Sequence, residues 1–205
     1  MTKILSICIF AVLLSVGSVV SAQDYVEGQH YLRIEPKVPP VGDDEGQHEV
    51  VELFWYGCPH CYDFEPDINA WKENKADDIV FVRVPAIFNP RWEQHARAYY
   101  ALEQMGELDK GHELIFSGIH EQKRALRDVD TIARFLAANG IDEQKFRESF
   151  NSFVVETKVN RAKELVRQYQ ITAVPAVIVD GEYRVSSGTA GGNSQVIDII
   201  DQLTE

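Results

Sequence analysis

The stretch Val50-Val51-Glu52-Leu53-Phe54-Trp55-Tyr56-Gly57-Cys58-Pro59-His60-Cys61 joins two patterns end to end. Val50 to Tyr56 is a nearly unbroken apolar, β-favouring run, which suits a central strand covered on both faces, and Gly57 ends it. From Pro59 or Cys61 to about Asn74 the period changes: Phe64, Ile68 and Trp71 recur at three- and four-residue spacing, which predicts a helix. Ile79 to Val84 then reads as a second strand. The opening is therefore β-α-β, with a cysteine pair at the junction of strand and helix.

Upstream, Gln23 to Gly46 carries one short strand-like piece, Tyr31 to Ile34, and a lead-in rich in Pro, Gly and Asp. Downstream, Asn89-Pro90 has the form of an N-cap followed by proline at the first helical position. Trp92, His95, Ala96, Tyr99 and Leu102 line one face of that helix up to a stop at Gly106. Asp128 and Asp142 predict the caps of two more helices, with Ile132, Phe135 and Leu136 inward on one and Phe146 and Phe150 inward on the other. Val155, Val159, Ala162, Val166 and Tyr169 mark a longer one. Strand pattern returns at Ala176 to Val179, Asp180-Gly181 predicts a tight hairpin into Glu182 to Val185, and Ser194 is expected to cap a last helix. The order is β-α-β, a helical block, then α-β-β-α, with no internal repeat.

At 205 residues with 45% apolar and 25% charged residues, the chain is of ordinary globular composition, which excludes wholesale disorder, collagen and a multi-span membrane protein. A net charge of -12 with no Lys/Arg cluster argues against a nucleic-acid surface, because phosphate binding needs a positive field. Three cysteines is an odd number. The first stretch explains it: a basic Lys3, an apolar run from Ile4 to Val20 and the small residues of Val20-Ser21-Ala22 predict an export signal covering 1–22, cleaved before Gln23. A membrane anchor is the rival, disfavoured by the short, Ser- and Gly-interrupted run. Cleavage removes Lys3 and Cys8 and leaves 183 residues, a charge of -13 and two cysteines, Cys58 and Cys61, in an oxidising compartment.

The Cys58-Cys61 pair has three explanations at this point. A structural staple closing so small a loop removes little unfolded-state entropy, roughly 2 kcal/mol. A closed zinc site wants four N or S ligands and there is no second cysteine pair, although Cys58, Cys61 and His60 could form a partial copper or zinc site. The third is thiol-disulfide exchange. A helix N-terminus offers free N–H groups and the positive end of the macrodipole, both of which favour a thiolate at Cys58. An ordinary thiol is only about 3% ionised at pH 7. His60 can add a donor or a charge to that sulfur, Pro59 suits the first helical turn, and Cys61, deeper in the helix, is the natural resolving thiol. Stabilising the thiolate makes the disulfide a better oxidant. Glu52, within the apolar strand, is either a solvent contact at an edge or a buried acid whose pKa is raised by desolvation. Trp55, Tyr56 and Phe64 are expected in the core, and His95, His112 and His120 at the surface or its boundary.

The run F-W-Y-G-C-P-H-C-Y-D-F-E-P from Phe54 to Pro66 resembles the DsbA-type periplasmic thiol oxidases. So do E-G-Q-H-Y-L from Glu27, F-N-S-F-V-V from Phe150 and V-P-A-V-I-V-D-G from Val174, which spread the likeness over nearly the whole mature chain. The resemblance implies an α/β thioredoxin fold with an inserted helical domain: a leader at 1–22, thioredoxin-like parts at 23–86 and 161–205, and a helical insertion at 87–160. It implies that Cys58 forms the mixed disulfide and Cys61 resolves it, and that Val174-Pro175 is a cis-proline loop lying against the sulfurs and offering backbone to substrate. It places Glu52 beneath the disulfide as a proton-handling acid. The lysine that often accompanies that acid in the family is absent from Ile79 to Val84, where the only cation is Arg83, and Arg83 is left outside the expected site. Also implied are a monomer in the periplasm of a Gram-negative bacterium, exported unfolded proteins with free cysteines as substrates, a DsbB-type quinone-linked inner-membrane partner as oxidant, and no bound cofactor or metal. A disulfide isomerase or reductase of the same fold, and a metal-binding module using the cysteine pair, remain the alternatives.

Overall fold

The computed structural model describes residues 24–42 and 47–205. The expected leader at 1–22 and its cysteine, Cys8, lie outside them. The elements are β1 (Tyr31–Arg33), β2 (His48–Phe54), α1 (Pro59–Asn74), β3 (Ile79–Pro85), α2 (Pro90–Met105), α3 (Leu108–His120), α4 (Val129–Ala138), α5 (Glu143–Phe150), α6 (Phe153–Gln168), β4 (Ala176–Val179), β5 (Tyr183–Val185), α7 (Ser187–Ala190) and α8 (Asn193–Leu203). The strands form one mixed sheet in the order β1-β5-β4-β2-β3, parallel between β2 and β3 and antiparallel elsewhere.

The sheet is covered on both faces, as the unbroken apolar run of β2 requires. Val50, Val177, Val179 and Val185 meet Phe64, Ile68 and Trp71 of α1 and Val196, Ile199 and Ile200 of α8. Val51, Leu53 and Ile178 pack on the opposite side, where the helices between β3 and β4 share one continuous core with them. This is the thioredoxin-like α/β architecture with a helical block between its halves.

Capping signals placed the starts of three helices correctly. Asn89 accepts from the N–H groups of Arg91 and Trp92 with Pro90 in the first turn, and Gly106 closes α2 in the left-handed region. Asp128 and Thr131 form a reciprocal capping box on α4, and Asp142 caps α5. Asp128→Ala is expected to destabilise the fold by leaving the first N–H groups of α4 uncapped, read as a lower urea midpoint with an unchanged slope. The hairpin turns at Asp180 and Gly181, both at positive φ, and a Cβ on Gly181 would lie 2.0 Å from the Val38 carbonyl oxygen.

Four expectations are corrected. β2 stops at Phe54 rather than Tyr56, because the Trp55 carbonyl turns to accept from the Cys58 N–H at 2.9 Å. Ser194 does not cap α8, whose N-cap is Gly192 with no side-chain bond. His95 and His112 are buried rather than at the boundary: His95 Nε2 meets the Leu126 carbonyl at 2.6 Å, and Tyr56 Oη meets His112 Nδ1 at 3.0 Å. Trp55 is not a core residue but is partly exposed, stacked on Trp92 at 4.2 Å.

Candidate active site

Cys58 is itself the N-cap of α1, in extended conformation and followed by Pro59 in the first turn. The chain thus leaves the sheet at Phe54, turns through Trp55 to Gly57 and delivers the first sulfur to the place where helix N–H groups are unpaired. A Cβ at Gly57 would sit 2.4 Å from the Trp55 ring, so any larger residue there would push that ring from its place. Cys58 is partly exposed, Pro59 and His60 are exposed, and Cys61 is fully buried one turn in.

The two sulfurs are unbonded and close. The Cys61 thiol donates to Cys58, the backbone N–H groups of Cys61 and His60 do the same, and the His60 ring adds charge. Together they pull the Cys58 thiol down to about 6 against a smaller opposing effect of burial. Cys61 goes the other way: burial, the hydrogen bond to Cys58 and the charge of Cys58 push it far up, and Glu52 adds to this. One sulfur is thereby made an anion at neutral pH and the other a proton holder, which is the asymmetry that directed thiol exchange needs.

Val174-Pro175 is a cis peptide, and the Val174 carbonyl oxygen lies 3.4 Å from Cys58 Sγ, a hydrogen bond that only the thiol form of Cys58 donates. Both residues are partly exposed, so the loop and the sulfur share one surface. Neither of the other Val-Pro pairs, Val38-Pro39 and Val84-Pro85 at the end of β3, is cis.

Beneath the sulfurs, Glu52 is the buried acid of the two possibilities, with no exposure. Burial lifts its carboxyl to about 7, opposed by Arg83, whose Nε donates to Glu52 Oε2 at 2.7 Å. Arg83, left outside the site by its sequence, belongs to it: parallel pairing sets Arg83 directly across from Glu52, on the same sheet face. Its other arm reaches Asn69 Oδ1 at 2.9 Å and Glu65 at 3.3 Å. Glu65 is a further residue the sequence did not single out. Burial would raise it, but His112, Arg83 and Asn69 outweigh that and hold its carboxyl below the usual range. His112 Nε2 lies 3.3 Å from Glu65, close enough for an ion pair but without hydrogen-bond alignment. The signal for Glu65 was its position one helical turn after Cys61, facing the strand that carries Glu52. Glu65, Arg83, Asn69 and His112 open onto a cavity of about 810 Å³ between α1 and α3, which Glu52 does not line itself but meets through Arg83.

No group of three or more metal-ligating side chains occurs among the described residues. His60 stands exposed, two residues after Cys58 and next to Cys61.

A family model described as a DSBA-like thioredoxin domain matches residues 76–197. Among curated proteins, the thiol:disulfide interchange protein DsbA of Pseudomonas aeruginosa is 41% identical over 189 residues, covering 92% of this chain and 89% of that one. The protein of the same name from Azotobacter vinelandii is 42% identical over 185 residues, covering 90% and 86%. Among solved structures, Pseudomonas aeruginosa DsbA superposes with a TM-score of 0.82 at 41% identity, over 86% of this chain and 91% of that one. The oxidoreductase DsbA from Xylella fastidiosa gives 0.81 at 32%, over 88% and 96%. With the strand-helix cysteine pair, the cis-proline loop and a match over nearly the whole chain in agreement, the chain belongs to the DsbA-like thioredoxin family.

Proposed function

We propose that Cys58 and Cys61 are the redox pair of a thiol:disulfide oxidoreductase that donates their disulfide to exported, folding proteins. The observation that carries this is the half-exposed Cys58 at a helix N-terminus, held as a thiolate by a pKa near 6 beside a buried, protonated Cys61. In the oxidised protein a substrate thiolate attacks Cys58 Sγ. A substrate-Cys58 bond forms, the Cys58-Cys61 bond breaks, and its electron pair leaves on Cys61, which takes a proton. A second substrate thiolate then attacks the substrate sulfur and expels Cys58 as a thiolate. Two substrate thiols have become a disulfide, and the protein carries the two electrons.

Each neighbour has one part in these steps. The backbone at Val174 and Pro175 lies where an extended substrate strand would run beside Cys58. Pro59 and His60 shape the first turn and stabilise the departing thiolate. Glu52, titrating near neutrality, supplies and recovers the Cys61 proton, with Arg83 holding its carboxylate in place. The chain works as a monomer in the periplasm of a Gram-negative bacterium, where the apolar, small-residue pattern of 1–22 would direct it, and a DsbB-type quinone-linked membrane protein takes its electrons. The division into 23–86, 87–160 and 161–205 is kept as part of this proposal, with α6 running through its second boundary.

The test is the equilibrium reduction potential of the pair against glutathione, with stoichiometric oxidation of a reduced model protein. A potential more oxidising than that of glutaredoxins is expected; one in the thioredoxin range would assign the protein to reduction instead. His60→Leu is expected to raise the Cys58 pKa and make the potential more reducing, and an unchanged thiolate absorbance titration would remove His60 from the mechanism.

Stability should follow the same anion. The folded pKa of Cys58, about 6, lies below that of an unfolded thiol, about 8.5. Its contribution is therefore complete above the unfolded value and is lost as pH falls through 6. The disulfide form has no thiolate, so the melting temperature of the dithiol form minus that of the disulfide form should fall over that window. A flat difference would mean that Cys58 is not an anion.

A further inference from the structure

Trp55, Trp92 and Phe88 form a continuous aromatic track that starts three residues before the reactive cysteine. The Trp55 and Trp92 rings stack at 4.2 Å and 7°, and Phe88 follows at 4.7 Å from Trp92. Phe88 is 42% exposed, so the track is not closed over. It leads into a groove of about 720 Å³ between the start of α2 and the end of α6, walled by Ile87, Phe88, Val166, Ile171 and Thr172. Thr172 is two residues from Val174, whose carbonyl touches Cys58 Sγ. An extended chain advances at most about 3.6 Å per residue, so the groove opens within about four residues of the sulfur.

The charge there runs against that of the molecule. The groove holds one carboxylate, Glu93, already paired with Lys163 at 2.9 Å, and a second cation, Arg167. Arg167 is exposed and has no acidic partner among the described residues. Arg91, also exposed and without an acidic partner among them, lies over Trp55 at 5.7 Å. In a chain of net charge -12, apolar walls with free arginines at the rim are complementary to an apolar residue next to an acidic one.

We propose that this groove receives the substrate chain beside its reacting cysteine, taking an aromatic or large aliphatic side chain with an adjacent carboxylate turned toward Arg167. The proposal rests on disulfide donation through Cys58 and adds to it a substrate preference. A joint between helical block and sheet that served only to seal the core would bury Phe88 and pair its arginines.

The experiment uses the oxidised protein and reduced two-cysteine peptides that differ only in a Trp-Glu, Trp-Lys or Gly-Ser pair. The pair is placed three residues before the first cysteine in one series and three after it in another. In one series kcat/KM for Trp-Glu should exceed that for Gly-Ser by about tenfold, the size expected from burying one large side chain. The difference should lie in KM, and the Trp-Glu advantage over Trp-Lys should shrink with salt. Arg167→Glu should reverse the order of Trp-Glu and Trp-Lys. Equal rates in both series, or an order that Arg167→Glu leaves unchanged, would overturn the groove as a binding site. Oxidation of dithiothreitol by the same preparations separates the two layers: its absence would overturn disulfide donation itself, whatever the peptides show.

Discussion

Cys58→Ser is expected to reduce oxidation of a model substrate to the uncatalysed rate, with no mixed disulfide at any pH and the fold retained. Of the two cysteines among the described residues, Cys58 is the one a substrate can reach, since Cys61 is fully buried beneath it. It is also the one whose anion the helix N-terminus and Cys61 stabilise, so a hydroxyl of much higher pKa cannot replace it as nucleophile or leaving group. The informative contrast is Cys61→Ala. That variant keeps the exposed Cys58 but removes the resolving thiol, so it should react once with oxidised glutathione and remain as the mixed disulfide, seen as a stable mass increase. The loss of the Cys61 donor should also raise the Cys58 pKa above 6, because that hydrogen bond is the largest influence on it. Turnover retained by Cys58→Ser, or an adduct that forms on Cys61 instead, would sink the assignment of roles.

Where the sequence was legible, local chemistry and tertiary structure agreed. The strand-to-helix switch around Cys58, the Asn89-Pro90, Asp128 and Asp142 caps and the Asp180-Gly181 turn are settled within a few residues, and each formed as expected. What was missed depends on partners far along the chain. Arg83 pairs with Glu52 only because β3 lies parallel to β2 in one particular register, and a crossover through α1 sets that register, not any residue in β3. His112, and His95 despite its place on the apolar face of its helix, were expected at the boundary because polar side chains usually stay wet. α2 is instead surrounded by α3, α5 and α6 and buries His95, Ala96, Ala98 and Tyr99 to Leu102, more than half its circumference. Trp55 continued the apolar run and so was expected inside, but the strand ends before it and the ring turns out onto Trp92. The short α7 carries too few residues for any periodicity.

The largest effect on stability is expected from Arg83→Met, at about 3–5 kcal/mol near pH 8, because it leaves buried carboxylates without their cation. Arg83 is 10% exposed and Glu52 not at all, so water cannot take over the role of the guanidinium. The cost should depend on pH in a defined direction. Burial raises the folded pKa of Glu52 to about 7, above the unfolded value of about 4.3. An acid shifted this way favours the folded state fully below its unfolded pKa, and that contribution is lost as pH rises through the folded value. Without Arg83 the carboxyl should titrate higher still, so Glu52 is protonated and cheaply buried at pH 5 but must be either ionised or held neutral at a cost at pH 8. The gap between Arg83→Met and the unsubstituted protein should therefore be smaller at pH 5 than at pH 8. Glu52→Gln on the Arg83→Met background should recover most of the loss, since the neutral amide no longer needs the charge. Recovery will be incomplete because Glu65 keeps its own charge, though His112 and Asn69 still hold it. Urea unfolding of the dithiol form of all four proteins at both pH values gives the coupling energy directly. Additive losses, with no rescue by Glu52→Gln, would mean that Arg83 acts through packing alone and that Glu52 does not depend on it.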